Sequence, residues 1–216
     1  MARTQRRERE KAVFREEVLA AARAVVLEEG FDALTMRKIA DAVEYSPGTI
    51  YLYFESRDAI AFELCRRGFE ELRAALSPAA TIADPEKRLR ELGRLYVQFG
   101  IERSETYRLI FMEDVKYASA IFAKRADDAD SPGMQALGLL VATLEELRAA
   151  NRLLSDATAQ ELAETIWAGV HGIVSLSITF TQVPESTPER LSQIMVDGIL
   201  GGLIAPAARA RSKRRT

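Results

Sequence analysis

The sequence predicts an all-α protein of about nine helices, and three observations carry that expectation. Apolar residues recur at the three-to-four-residue spacing of one helix face through most of the chain. Four of the seven prolines follow a Ser, Thr or Asp at the head of an apolar-periodic segment, at Ser46-Pro47, Asp84-Pro85, Ser131-Pro132 and Thr187-Pro188. That pairing is an N-cap followed by a first helical position. No proline falls inside a periodic segment, where it would break the hydrogen-bond ladder.

The first helix should run from about residue 9 to Glu29, with Phe14, Val18, Ala21, Ala22, Val25 and Val26 as its apolar face. Gly30 would end it as a left-handed cap, with Phe31 folding back and Leu34 in the same small core. Thr35 caps a second helix in which Met36, Ile39, Ala40 and Val43 share a face. The pattern breaks at Glu44-Tyr45 and restarts at Ser46-Pro47, because proline is pre-set for the first helical turn and the residue before it is pushed out of helical geometry. In this third helix Ile50 and Phe54 form one stripe, leaving Pro47, Gly48, Thr49, Tyr51 and Tyr53 to face elsewhere. Two turns whose leading residues are small and exposed make poor core material. They suit a DNA major groove, which admits one α-helix.

Ser56 caps a fourth helix, with Asp58 near the positive end of its dipole and Ile60, Leu64 and Phe69 inward, through about Leu76. The stretch Ser77 to Pro85, with two prolines and small residues, is the best domain boundary. Helix five then carries Leu89, Leu92, Leu95, Tyr96 and Phe99. Helix six opens at Ser104 with Tyr107, Leu109, Ile110, Phe111 and Met112, trailing through Tyr117, Ile121 and Phe122. The acidic segment 125–133 lacks the ligand register and distal Glu of a calcium loop and reads as a solvated loop. Helix seven uses Met134, Leu137, Val141, Leu144 and Leu147 and ends near Asn151. A capping box from Thr158 to Glu161 opens helix eight, which reaches about Phe180 with Ile166, Trp167, Val170, Ile173, Val174 and Ile178. Helix nine runs from Thr187-Pro188 to about Ile204, with Leu191, Ile194, Met195, Ile199 and Leu203 on one side and Gly198, Gly201 and Gly202 nearby.

Composition sets the limits. A length of 216 residues with 48% hydrophobic side chains allows one or two domains with a real core. The single Cys65 excludes an internal disulfide and suits a reducing compartment. The basic N-terminus is not followed by an apolar signal-peptide core, and no uninterrupted apolar run approaches the roughly 20 residues of a membrane span. A cytoplasmic location without membrane attachment is expected. The net charge of −2 does not advertise nucleic-acid binding, so positive charge must be segregated. Residues 1–15 do this, setting Arg3, Arg6, Arg7, Arg9, Lys11 and Arg15 against Glu8 and Glu10. Ahead of the two short helices, this leader reads as a mobile basic arm that follows phosphates or enters the adjacent minor groove.

The twenty residues Thr35 to Phe54 resemble the helix-turn-helix of the TetR family of bacterial transcriptional regulators. The match lies in Thr35, Ile39-Ala40, the run Ser46-Pro47-Gly48-Thr49-Ile50-Tyr51-Leu52-Tyr53-Phe54, and Arg57 opening the next helix. Flanking helices extend the likeness over roughly the first third of the chain; the remainder agrees in architecture more than in motif. The resemblance implies a helix-turn-helix domain over 9–70, a ligand-binding and dimerisation domain over 79–206, and basic, disordered tails at 1–8 and 207–216. It also implies that helix four pivots when ligand binds, and that helices eight and nine pair with a second subunit through Ile173, Ile178, Leu191, Ile194, Met195, Gly198 and Ile199.

Carried over residue by residue, Ser46, Pro47, Gly48 and Thr49 face base edges or nearby backbone. Tyr51 and Tyr53 give phosphate hydrogen bonds, and Thr35 and Arg57 sit at helix starts suited to phosphate. Arg37 touches phosphate or a base edge, Lys38 is solvated, and Tyr45 either contacts DNA or packs on helix one. Residues 44–54 contain no Lys or Arg, so sequence reading rests on weak contacts, DNA shape and water. The run Trp167-x-x-x-His171-Gly172 resembles a C-terminal variety within the family named for Trp, His and Gly. With Tyr96, Phe99, Tyr107, Phe111 and Met112, these side chains together suggest an apolar cavity for a small molecule, although any one of them taken singly reads better as core.

The expected partners are thus double-stranded DNA bearing a palindromic operator, a small-molecule effector, and a second copy of the chain. No cofactor or metal is expected: one His and one Cys are too few soft ligands for zinc. An enzyme would have to run through His171 with Ser175 one turn on and a carboxylate such as Glu164, without an oxyanion hole. An architectural DNA binder would lean on the basic stretch Arg209 to Arg215, which Pro206 separates from the last helix. A regulator of the same fold that senses no ligand, or activates, is the remaining alternative.

Overall fold

The computed structural model describes residues 2–113, 116–117, 131–180, 182 and 185–204. Among these it contains nine α-helices and no strand beyond one isolated bridge between Leu153 and Ile204. We number them α1 (Ala2–Glu29), α2 (Met36–Ala42), α3 (Pro47–Tyr51), α4 (Arg57–Leu76), α5 (Pro85–Glu102), α6 (Ser104–Phe111), α7 (Pro132–Ala149), α8 (Ala159–Thr179) and α9 (Pro188–Leu203). The expected endings at Ile121 and Phe122, most of the acidic loop, and the basic tail from 207 lie outside the described residues.

The caps work as the sequence chemistry requires. Thr35, Ser46, Ser131 and Thr187 each accept a backbone N–H from the residue three positions on, and Asp84 accepts from both Glu86 and Lys87. Thr158 and Glu161 form the reciprocal capping box. All four helices expected to begin with proline do so.

Two compact units are present. One comprises residues up to Gly68 together with the stretch after Ser104; the other holds residues 69–104 and the chain from α7 onward. The expected boundary near 77–85 is therefore not where compactness divides the chain. The first unit claims α6 because Gly68 lets it approach α4: a Cβ at Gly68 would sit 2.3 Å from Ile110 Cγ2. Arg23 of α1 adds a 2.9 Å hydrogen bond to Thr106 Oγ1.

The first unit is built on α1, whose Phe14, Val18, Leu19, Ala22 and Val26 are buried with Leu34, Ile39, Ile50, Phe54 and Ile60. α1 ends at Gly30, whose φ of +81° suits glycine, but its ψ of 169° makes this an extended turn rather than the expected left-handed cap. The helix also begins seven residues before the expected start. Residues 2–8 continue α1 instead of forming a disordered tail, because they contain no Gly or Pro and gain the pairs Arg6–Glu10 and Glu8–Lys11.

In the second unit α5 packs on α7, α8 and α9. By length and composition α8 could cross a membrane, yet its Leu162, Ala163, Ile166, Val170 and Val174 are buried in this unit. The inward stripe of α7 is Ala136, Thr143, Leu144 and Leu147, so the expected Met134, Leu137 and Val141 are only half-buried. That of α9 is Ser192, Val196 and Leu200, a face the sequence pattern did not single out.

Candidate nucleic-acid interface

α3 is held from below and left open above. Ile50 and Phe54 are buried, and Arg15 of α1 donates from Nη1 to Tyr53 O at 2.7 Å while its guanidinium lies 4.2 Å from the Phe54 ring centre. The rings of Tyr45 and Tyr53 each lie 4.7 Å from Phe14. Tyr45 thus packs on α1, one of the two expected options, while remaining half-exposed. α3 is shorter than expected: after Tyr51 the chain passes through a turn in which Phe54 N–H still donates to Ile50 O at 3.0 Å.

Ser46, Pro47, Gly48, Tyr51 and Leu52 are exposed together on the outer side, with Thr49 half-exposed. Thr49 N–H donates to Ser46 Oγ, and the two hydroxyls lie 3.0 Å apart, so the cap and the first turn are pre-set. Gly48 has no packing reason to be glycine, since a Cβ there would meet only Ser46 Oγ at an ordinary 3.6 Å. The turn before α3 places Glu44 at φ +59°, a conformation that L side chains adopt at a cost.

The flanking cations divide into used and unused. Arg37 stands 87% exposed with Asp41 only at 4.0 Å. Lys38 pairs with Glu29 at 2.5 Å rather than being fully solvated. Arg57 donates to Leu34 O at 3.2 Å, fastening the start of α4 to the chain leading into Thr35. Two features escaped the sequence reading. Leu52 is 82% exposed, the opposite of what its residue type suggests. A groove of about 810 Å³ separates α3 from the N-terminal turns of α1, with Arg7 and Lys11 on one wall and Thr49, Leu52 and Tyr53 on the other.

The expected effector side chains fall into two groups. In the second unit Trp167 Nε1 donates to Tyr96 Oη at 3.1 Å, and Tyr96 Oη lies 3.2 Å from His171 Nδ1. Because indole can only donate, Tyr96 Oη must accept there. Burial lowers the His171 pKa from its ordinary value, which favours the neutral ring, and a neutral ring protonated on Nε2 accepts a hydrogen bond from Tyr96 Oη at Nδ1. Phe99 is buried on α5 and borders a separate cavity of about 540 Å³. Tyr107, Phe111 and Met112 belong to the first unit, where Tyr107 is fully buried, its ring 4.9 Å from Phe111, and Met112 is exposed. Ser175 Oγ, one turn beyond His171, is buried with no hydrogen-bond partner among the described residues.

The residues expected to meet a second copy lie away from the core stripe of α9. Ile194 is 52% exposed, Gly198 has no neighbour within 4 Å of where a Cβ would stand, and Leu191, Met195 and Ile199 are half-exposed. On α8, Ile173 and Ile178 are likewise half-exposed, and the Cβ position of Gly172 is also open.

Residues 18–64 match the model of bacterial regulatory proteins of the tetR family, and residues 89–199 match the tetracyclin repressor-like C-terminal domain. The chain is 35% identical over 66 residues to the HTH-type transcriptional repressor Rv1474c of Mycobacterium tuberculosis, covering 31% of this chain and 35% of that protein. It is 31% identical over 101 residues to the HTH-type transcriptional activator FasR of Mycolicibacterium smegmatis, 46% of each. The chain thus spans less than half the length of these curated relatives. Among solved structures, the fatty acid degradation regulator FadR from Bacillus halodurans superposes with a TM-score of 0.69 at 18% identity, over 87% of this chain and 95% of that one.

Proposed function

We propose that this chain, which belongs to the TetR family of bacterial regulatory proteins, is a cytoplasmic, homodimeric DNA-binding repressor released from a palindromic operator by a small apolar or aromatic ligand. The observation that carries the DNA-binding part is the outer side of α3. A five-residue helix capped by Ser46 keeps Pro47, Gly48 and Tyr51 exposed although the core beneath is complete. Glycine in a helix costs about 1 kcal/mol relative to alanine, and no described residue requires Gly48, so its use lies in close approach by an outside partner.

In this reading Ser46 to Thr49 meet base edges, Tyr51 and Arg37 meet phosphates, and Tyr45 and Tyr53 brace α3 on Phe14. Arg57 acts indirectly, by positioning the start of α2. Two copies joined through the open faces of α8 and α9 would set the reading helices about 34–36 Å apart, one helical turn of DNA. The effector would engage Tyr96, Trp167 and His171, with Phe99 nearby, in a C-terminal domain of the Trp-His-Gly variety. Release needs only a differential affinity for two states, typically about 1–3 kcal/mol of coupling. The family consists of regulatory proteins rather than enzymes.

Activation is the second reading, and the relative named as an activator, FasR, is the observation favouring it. A reporter driven by the bound operator separates the two: deletion of the gene raises expression under repression and lowers it under activation. Screening small molecules against the protein–operator complex tests release. If no molecule that binds the protein changes operator affinity, the ligand-responsive part fails.

A further inference from the structure

We propose that the groove between α3 and the N-terminal turns of α1 seats one sugar–phosphate strand of the bound duplex, with α1 as a rigid cationic wall. This inference rests on the DNA-binding reading above and deepens it. The leader is helix from Ala2 onward, continuous with the core-packed part of α1. It therefore cannot thread a minor groove about 6 Å wide as a flexible arm would. The fixed helix instead places Arg7, Lys11 and Arg15 on one stripe, at steps of about 6 Å along its axis.

Arg15 is committed to Tyr53 O and the Phe54 ring, so it fixes the floor of the groove. Arg7 makes no ion pair with a described residue and stands exposed. Lys11 pairs with Glu8 at 3.2 Å, both side chains at least 47% exposed, a contact that solvent screens and a phosphate can replace. Glu8 and Glu10 also line the groove, but both are paired, Glu8 with Lys11 and Glu10 with Arg6 at 2.8 Å. The opposite wall carries no charge: Thr49, Leu52 and Tyr53 offer a hydroxyl and apolar surface, which suits sugar and a thymine methyl. A cationic wall facing an uncharged one beside the reading helix fits a single strand edge-on. Together the walls set the register of α3 in the groove.

The test measures duplex affinity against salt, using a duplex recovered by selection from a random pool. Each phosphate contact contributes a slope of about −0.9 in log K against log salt. The Arg7→Gln, Lys11→Gln double variant removes two contacts from each protomer of the dimer and should therefore flatten the slope by about 3.6, while selecting the same sequence as the wild type. Ala12→Pro keeps every charge but releases the preceding residues from the helix, and should lose a comparable part of the slope while remaining folded by circular dichroism. An unchanged slope in the double variant overturns the inference but leaves the DNA-binding reading standing. A full slope in Ala12→Pro beside a flattened one in the double variant overturns the rigid wall in favour of a flexible arm. Should Ala12→Pro unfold, the double variant decides alone. If the wild type selects no duplex, the DNA-binding reading itself fails, and this inference with it.

Discussion

Glu63→Gln probes the charge network of α4, the helix shared between the two units. Glu63 accepts from Arg66 Nε at 2.8 Å, from Arg66 Nη2 at 2.9 Å and from Arg67 Nε at 2.9 Å. Arg67 reaches on to Glu16 of α1 at 2.5 and 2.7 Å, so one carboxylate anchors a bridge between two helices. The Arg66 hydrogen bonds, aided by Arg67, lower the Glu63 pKa from 4.5 to about 2. At about 1.4 kcal/mol per tenfold change in proton affinity, the ceiling is about 3 kcal/mol. Both arginine side chains are 34% exposed, and solvent screening should reduce the net to about 1.5 kcal/mol.

The sign follows from the lowered folded-state pKa. The contribution is complete above about pH 4.5 and disappears as pH falls through about 2. Urea unfolding of wild type and Glu63→Gln, followed by circular dichroism, should show a gap of about 1.5 kcal/mol near neutral pH. That gap should narrow steadily below about pH 4.5. A gap absent at neutral pH, or constant down to about pH 3, would refute the reasoning.

Other substitutions address separate parts of the molecule. Glu44→Gly should stabilise the protein by about 0.5–1 kcal/mol, because the left-handed turn costs an L side chain about 1–2 kcal/mol and glycine's added chain entropy returns part of it; the urea midpoint reads this. Tyr96→Phe removes the acceptor from Trp167 Nε1 and should cost about 1–2 kcal/mol. Since Trp167 is the only tryptophan, its emission maximum should move with the substitution, and an unchanged spectrum would count against the hydrogen bond. Ile194→Asp places a charge on the open face of α9 and should yield a folded monomer in sedimentation, whereas an intact dimer would place the interface elsewhere.

Local chemistry made most of the fold legible. Proline is fixed in φ and lacks an N–H, so the pairs at Ser46-Pro47, Asp84-Pro85, Ser131-Pro132 and Thr187-Pro188 marked helix starts independently of tertiary context. Helix ends were less readable. The leader was expected to be disordered because it is charged and polar, yet its composition suits a helix once α1 has nucleated beneath it. Inward faces were hardest where a helix has two of them: on α9 the larger apolar residues drew attention, while the core is served by Ser192, Val196 and Leu200.

The candidate site divides in the same way. Ser46 to Thr49 and Tyr51 could be named from the motif, but the exposure of Leu52 depends on where α3 ends and could not. The involvement of Arg15 and Arg57 with backbone carbonyls is a long-range matter, at separations of 38 and 23 residues. The effector set mixed residues of two units, because aromatic content on successive helices says nothing about which compact body each helix joins.

Selection of duplexes from a random pool tests the central claim most directly. The wild type should enrich a palindrome with half-site centres about one helical turn apart. Thr49→Ala should shift the preferred sequence, and Tyr51→Phe should weaken binding to all sequences alike. Failure to enrich any sequence, or comparable affinity for random and selected duplexes, would contradict the account.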